Sequence, residues 1–183
     1  MKKLLKGFDN FFIELINNRL KNRYLDKFMY GITDLGRAVS TTIFAIILLI
    51  VGNYNLKFIG LENLLVIGIS QTIVQGLKLS LRRKRPYDML EHVHTFEIIL
   101  KDYSFPSGHT TASFALATVL TLNIPYIWPI AYLFASIIGV SRIYLAVHYP
   151  TDVAAGIILG VGSAIFVDKY LLFIVEKVIQ LIY

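Results

Sequence analysis

His148 and Asp152 stand four residues apart, with Arg142 just upstream, in the run Ser141-Arg142-Ile143-Tyr144-Leu145-Ala146-Val147-His148-Tyr149-Pro150-Thr151-Asp152. This run separates two long apolar segments, where ionisable groups are costly and mark function. Pro150 suits the first position of a helix, and Asp152 falls in the first turn, where the dipole favours a carboxylate. At this spacing Asp152 can accept one ring N–H of His148. That fixes the tautomer and frees the other nitrogen for attack. A capping aspartate beside an interfacial histidine is the bland alternative, and the functional reading is preferred to it.

Two further clusters lie upstream. In Ser104-Phe105-Pro106-Ser107-Gly108-His109 the chain turns into an apolar helix. A helix start offers free N–H groups and a favourable dipole to an anion. Gly108 permits close backbone approach, Ser107 adds a hydroxyl, and His109 stands where it can donate a proton. Taken alone, this is an ordinary capping turn. In the other cluster, Lys78 precedes Arg85-Pro86 by seven residues. Arginine presents a planar fork matched to phosphate oxygens and lysine a mobile point charge. Arg82, Arg83 and Lys84 read instead as interfacial anchors. Together the clusters bring two histidines, one carboxylate and three cations to one pocket, which suits chemistry on a phosphate. The residues alone leave open which histidine attacks.

Those clusters meet only if the apolar segments between them alternate across a membrane. At 183 residues, 56% hydrophobic, the chain reads as one all-α integral membrane domain, residues 1–183. Leu4, Leu5, Phe8, Phe11, Phe12, Leu15 and Ile16 repeat at helical spacing opposite Lys3, Lys6, Asp9, Asn10 and Glu14. That predicts an amphipathic helix lying in the interface, apart from the chemistry, within a segment covering residues 1–36. Residues 37–183 form the bundle. Its first apolar run, Ala38–Val51, rises only about 21 Å, so it must borrow preceding residues to cross a ~30 Å core. Further crossings are expected near Leu56–Leu81, His109–Leu122, Ile127–Tyr144 and Pro150–Ile174, about five in all. Gln71, Gln75 and Lys78 share a face of the second, expected to turn inward. The loop from Arg82 to Pro106 is long enough to be functional. His92 and His94 within it read as solvated.

With no cysteine, disulfides, thiolate zinc sites and a cysteine nucleophile are excluded. The basic residues behind the +6 net charge cluster at apolar segment ends, which fits lipid headgroups and a phosphate substrate rather than nucleic acid. The N-terminus has no cleavable signal pattern.

In order and spacing the three clusters resemble the signature of the type 2 phosphatidic acid phosphatase and vanadium haloperoxidase superfamily. Lys-x6-Arg-Pro is met by Lys78, Arg85 and Pro86. Pro-Ser-Gly-His is met by Pro106–His109, and Ser-Arg-x5-His-x3-Asp by Ser141, Arg142, His148 and Asp152. The hydrophobic layout is similar to that of the short bacterial members, although the usual six-span form needs a full crossing before Ala38.

The resemblance implies a lipid phosphatase in which His148 takes the phosphoryl group, Asp152 orients it, and His109 protonates the leaving oxygen. Lys78, Arg85, Ser107, Gly108 and Arg142 would hold the phosphate oxygens, with no metal and no cofactor. The implied substrates are phosphatidic acid, phosphatidylglycerol phosphate or undecaprenyl diphosphate, the last slightly ahead. The alternatives are a vanadate-dependent haloperoxidase and a non-catalytic lipid-phosphate binding or transport protein. Five crossings place the N-terminus and all three motifs on one face. Its basic residues favour the cytoplasm, whereas the resemblance to enzymes acting on recycled lipid carriers implies an extracytoplasmic site, which is the expectation adopted.

Overall fold

In hydrocarbon every backbone polar group must be satisfied internally, and an apolar chain of this length does so with helices. The computed structural model describes residues 2–96, 98 and 100–182, and no strand occurs among them. Helix α1 (Lys2–Ile13) continues into a π-helical stretch, Glu14–Arg19. Helix α2 (Arg23–Ile32) ends in a 3-10 turn, Thr33–Gly36, and α3 covers Ala38–Val51. Then come α4 (Tyr54–Leu81), the short α5 (Pro86–Met89), α6 (Gly108–Asn123), α7 (Trp128–Tyr144), α8 (Pro150–Tyr170) and α9 (Leu172–Ile182).

The helix starts follow local chemistry. The Asn53 side chain caps α4 by accepting from Leu56 N at 3.1 Å, and Asn22 caps α2 by accepting from Tyr24 N and Leu25 N. Pro150 opens α8 at a position where its missing N–H costs nothing.

Helix α4 together with α5, α7 together with the preceding 3-10 turn Pro125–Ile127, and α8 are each long and apolar enough to cross a membrane. The α2 and α3 segments reach that length only as a pair bent by 58°, so the residues borrowed before Ala38 form a separate helix. Central α6 has 16 residues and rises about 24 Å. Among the described residues, three helical stretches, or four with the bent pair, are thus candidates to span, where the sequence suggested about five. The predicted fifth crossing also stops early, because the helix breaks at Leu171 and α9 begins at Leu172.

Helix α6 carries a run of buried residues from Thr110 to Ala115. Its hydroxyls return to its own carbonyls, Thr111 Oγ1 to Ser107 O at 2.9 Å and Thr118 Oγ1 to Phe114 O at 2.7 Å, so polar side chains are tolerated inside the bundle. Helix α8 approaches α6 closely. A Cβ on Gly156 would stand 2.8 Å from Ser107 O, and one on Gly160 2.5 Å from Thr111 O. The outward residues Ile43, Ile50, Ile130, Leu133 and Ile158 are exposed and apolar, as a lipid-facing surface requires.

Two expectations about faces need correction. Gln71 donates to Gly108 O at 3.2 Å, but Gln75 is exposed. The buried stripe of α4 runs through Val66, Ser70, Val74 and Lys78, a helical line that leaves Gln75 outside. In α1, Leu4, Leu5, Phe8 and Phe11 are exposed as expected, yet Asp9 is only 2% exposed. Its carboxylate turns into the protein rather than toward water.

Candidate active site

Helix α4 ends where Arg82 enters the left-handed region (φ 46°), and the chain then runs extended to Arg85 at the start of α5. Lys78, in the last turn of α4, and Arg85 are both buried. They converge on one carboxylate, Asp102. Arg85 Nη2 donates to Asp102 Oδ1 at 2.7 Å and its Nε to Asp102 O at 3.0 Å, while Lys78 Nζ donates to Asp102 Oδ2. Partial burial alone would raise the Asp102 pKa. The Lys78 ammonium and Arg85 guanidinium outweigh it and bring the group down to about 2.

Helix α7 gives way to a tight turn in which Val147 N and His148 N both donate to Arg142 O at 3.2 Å. Ala146 is held left-handed at φ 53°, a conformation rare for a residue with a Cβ. This reversal drops His148, only 1% exposed, into the bundle end. Its Nε2 lies 3.3 Å from Arg85 Nη1, which also donates to Val147 O at 2.7 Å. Its Nδ1 lies 3.5 Å from Asp152 Oδ2, within reach but long for a hydrogen bond. That oxygen is already engaged by Tyr149 N at 2.9 Å. Burial first, then Arg85, Arg142 and Lys78, push the His148 pKa well below the usual histidine value, so its imidazole is neutral.

The third motif arrives with α6. Ser107 Oγ accepts from Thr110 N at 3.4 Å and from Thr110 Oγ1 at 2.9 Å, while Ser107 N donates to Asp152 O at 3.1 Å. That last bond ties the start of α6 to the start of α8. Gly108 and His109 open α6, and His109 is half-buried, within electrostatic range of Arg142, His148, Arg37 and Lys78. Arg142 is buried, with Nη1 donating to Thr33 Oγ1 at 2.6 Å and Nε lacking a partner among the described residues. An unpaired buried guanidinium N–H is costly unless an anion arrives. All eight residues expected at the site thus lie at one end of the bundle.

Three side chains at this end escaped the sequence reading. Asp102 sits in the long loop, with no periodicity to mark it. Arg83 is not a lipid-facing anchor: it donates to Asp152 Oδ1 and to Asp9 Oδ2, both at 2.6 Å, and stacks 3.9 Å over the Tyr149 ring. Asp9 itself lies more than seventy positions away in sequence, beyond any local pattern. His94, expected to be solvated, has its Nδ1 3.0 Å from Lys21 Nζ and its N–H on Asn17 Oδ1 at 2.7 Å. A cavity of about 570 Å³ opens beside Asp9 and Arg83, lined also by Lys6, Lys84, Met89 and Tyr149 among others.

Among the described residues the fold is a helical bundle that gathers paired cations, a buried histidine and a carboxylate at one end, the build of an all-α membrane protein. Residues 60–174 match the PAP2 superfamily, and the chain belongs to it. It is 32% identical over 155 residues to phosphatidylglycerophosphatase B of Bacillus subtilis, covering 77% of this chain and 72% of that protein. It is 34% identical over 84 residues to an undecaprenyl-diphosphatase of Sulfolobus acidocaldarius, where the match covers 45% of this chain and 41% of the relative. Among solved structures, that of Aquifex aeolicus LpxE superposes with a TM-score of 0.79 at 33% identity, covering 88% of this chain and 95% of that one.

Proposed function

We propose that this protein is a membrane lipid phosphatase that hydrolyses a terminal phosphate from a lipid phosphate or diphosphate through a phosphohistidine at His148. The observation that carries the reading is the setting of His148: Arg85 3.3 Å from Nε2, Asp152 3.5 Å from Nδ1, and a buried, neutral ring. Nε2 attacks phosphorus while the P–O bond to the lipid breaks, and His109 gives its proton to the departing oxygen. Water then attacks the phosphohistidine, His109 takes its proton, and inorganic phosphate leaves. Asp152 stabilises the charge that develops on the ring. Lys78, Arg85, Arg142, the Ser107 hydroxyl and the N–H groups opening α6 around Gly108 hold the three equatorial oxygens.

Charge stabilisation by these cations makes the reaction independent of added metal. Among the described residues no group of three or more His, Asp or Glu side chains is arranged to hold a metal ion. The preferred substrate is an isoprenoid diphosphate such as undecaprenyl diphosphate, ahead of phosphatidic acid and phosphatidylglycerol phosphate, and the site faces outward from the cytoplasm. Both a diphosphatase and a phosphatidylglycerophosphatase are similar to this chain.

Phosphate release by detergent-solubilised protein fed each lipid, with and without EDTA, tests the reading. Undecaprenyl diphosphate should turn over fastest, EDTA should leave the rate intact, and orthovanadate should inhibit as a transition-state mimic. Failure to release phosphate from any of the three lipids overturns the proposal. Sidedness is read by introducing Cys at Glu91 or Asn55 in this cysteine-free chain and labelling intact cells with an impermeant maleimide. Labelling at position 55 but not 91 reverses the orientation.

A further inference from the structure

Arg83 has no part in the roles just assigned, yet its surroundings are those of a fixed element. The guanidinium is clamped between two buried carboxylates, with Nη1 2.6 Å from Asp152 Oδ1 and Nη2 2.6 Å from Asp9 Oδ2. Nη1 also donates to Thr151 Oγ1 at 2.7 Å, and the plane lies over Tyr149. Asp9 accepts from Thr151 N at 3.0 Å and from Thr151 Oγ1 at 2.9 Å, so α1 grips the first turn of α8 as well. A planar fork with donors on separate nitrogens reaches carboxylates on two sides in one fixed geometry, whereas a lysine offers a single point charge.

The clamp acts on the orientation of one carboxylate. Asp152 turns Oδ2 toward His148, where Tyr149 N also holds it, and Arg83 holds Oδ1 on the other side. We propose that Arg83 is a positioning residue for the His148–Asp152 pair and that α1 seats it through Asp9. This rests on the assignment of those two residues in the reaction. Asp9 lies outside the span 60–174 that matches the superfamily, so half of the clamp comes from the N-terminal segment. The same helix exposes Leu4, Leu5, Phe8 and Phe11 on its outer side.

Full-length protein in detergent, assayed on a water-soluble short-chain phosphatidic acid, tests the clamp. Arg83→Gln should lower kcat by about 10–100-fold, as loss of the outer partner of a site histidine does, with KM unchanged. Arg83→Lys should recover only part of the rate. Asp9→Asn should lower kcat less, and combined with Arg83→Gln it should be no slower than Arg83→Gln alone, because Asp9 acts through Arg83. Melting curves establish that each variant is folded. If Arg83→Gln does not fold, Asp9→Asn and Arg83→Lys carry the test, and wild-type kcat in both overturns the proposal. Wild-type kcat in folded Arg83→Gln, with Asp152→Asn inactive, removes the clamp and leaves the pair standing. Full activity in Asp152→Asn removes the underlying reading instead. Additive losses from Asp9→Asn and Arg83→Gln overturn the part given to α1.

Discussion

Asp102 and Arg85 are joined twice, carboxylate Oδ1 to Nη2 at 2.7 Å and main-chain oxygen to Nε at 3.0 Å. The same carboxylate meets Lys78. An anionic side chain thus rests on two of the cations proposed to hold phosphate, and an incoming substrate competes with it.

Asp102→Asn keeps the shape and removes the competing charge. The variant should bind orthovanadate more tightly, by about 3- to 10-fold, corresponding to roughly 0.7–1.4 kcal/mol. Since the Asp102 pKa lies at about 2, the carboxylate is ionised throughout the working range. The gain should therefore be constant between about pH 5 and 8, as inhibition constants measured across that range will show.

His148→Ala should abolish turnover, and Asp152→Asn should slow it by orders of magnitude with the fold retained. Rapid quenching of the wild type with labelled substrate should trap acid-labile, base-stable phosphate on the protein. The same label on His148→Ala would place the nucleophile elsewhere.

The neutral, buried state of His148 has a consequence for stability. Its folded pKa lies below the unfolded value of about 6.5, so below that pH the unfolded chain binds a proton that the folded one refuses. Stability from this group is present above about pH 6.5 and declines as pH falls, by at most about 1.4 kcal/mol per unit. Between pH 7 and 5 the melting temperature of the wild type should fall more than that of His148→Ala. Parallel curves would show that the ring protonates freely in the folded protein.

Gly160→Ala drives a methyl to within 2.5 Å of Thr111 O, a backbone atom that cannot step aside. It should cost about 1–3 kcal/mol and, by parting α8 from α6, weaken the Ser107–Asp152 tie. Gly162→Ala on the same helix meets nothing within 4 Å and should melt at or slightly above the wild-type temperature. Equal melting temperatures for the two variants would contradict the close packing.

The sequence by itself determined the helical class, the three motifs and the eight residues that gather at one bundle end. These rest on local quantities: hydropathy over a segment, the spacing of polar residues, and the chemistry of Ser107 and Pro150 at helix starts. Local patterning also told that α1 is amphipathic, but not which of its polar residues faces water. Asp9, Arg83 and Asp102 became legible only in three dimensions, since their partners are supplied by distant elements. At the end of a helix bundle a buried charge is costly unless opposite charges converge on it. That convergence depends on how α1, α4 and α8 pack, and no spacing along the chain encodes it. The outward turn of Gln75 was likewise decided by packing, because helix periodicity names a stripe without saying which neighbour covers it.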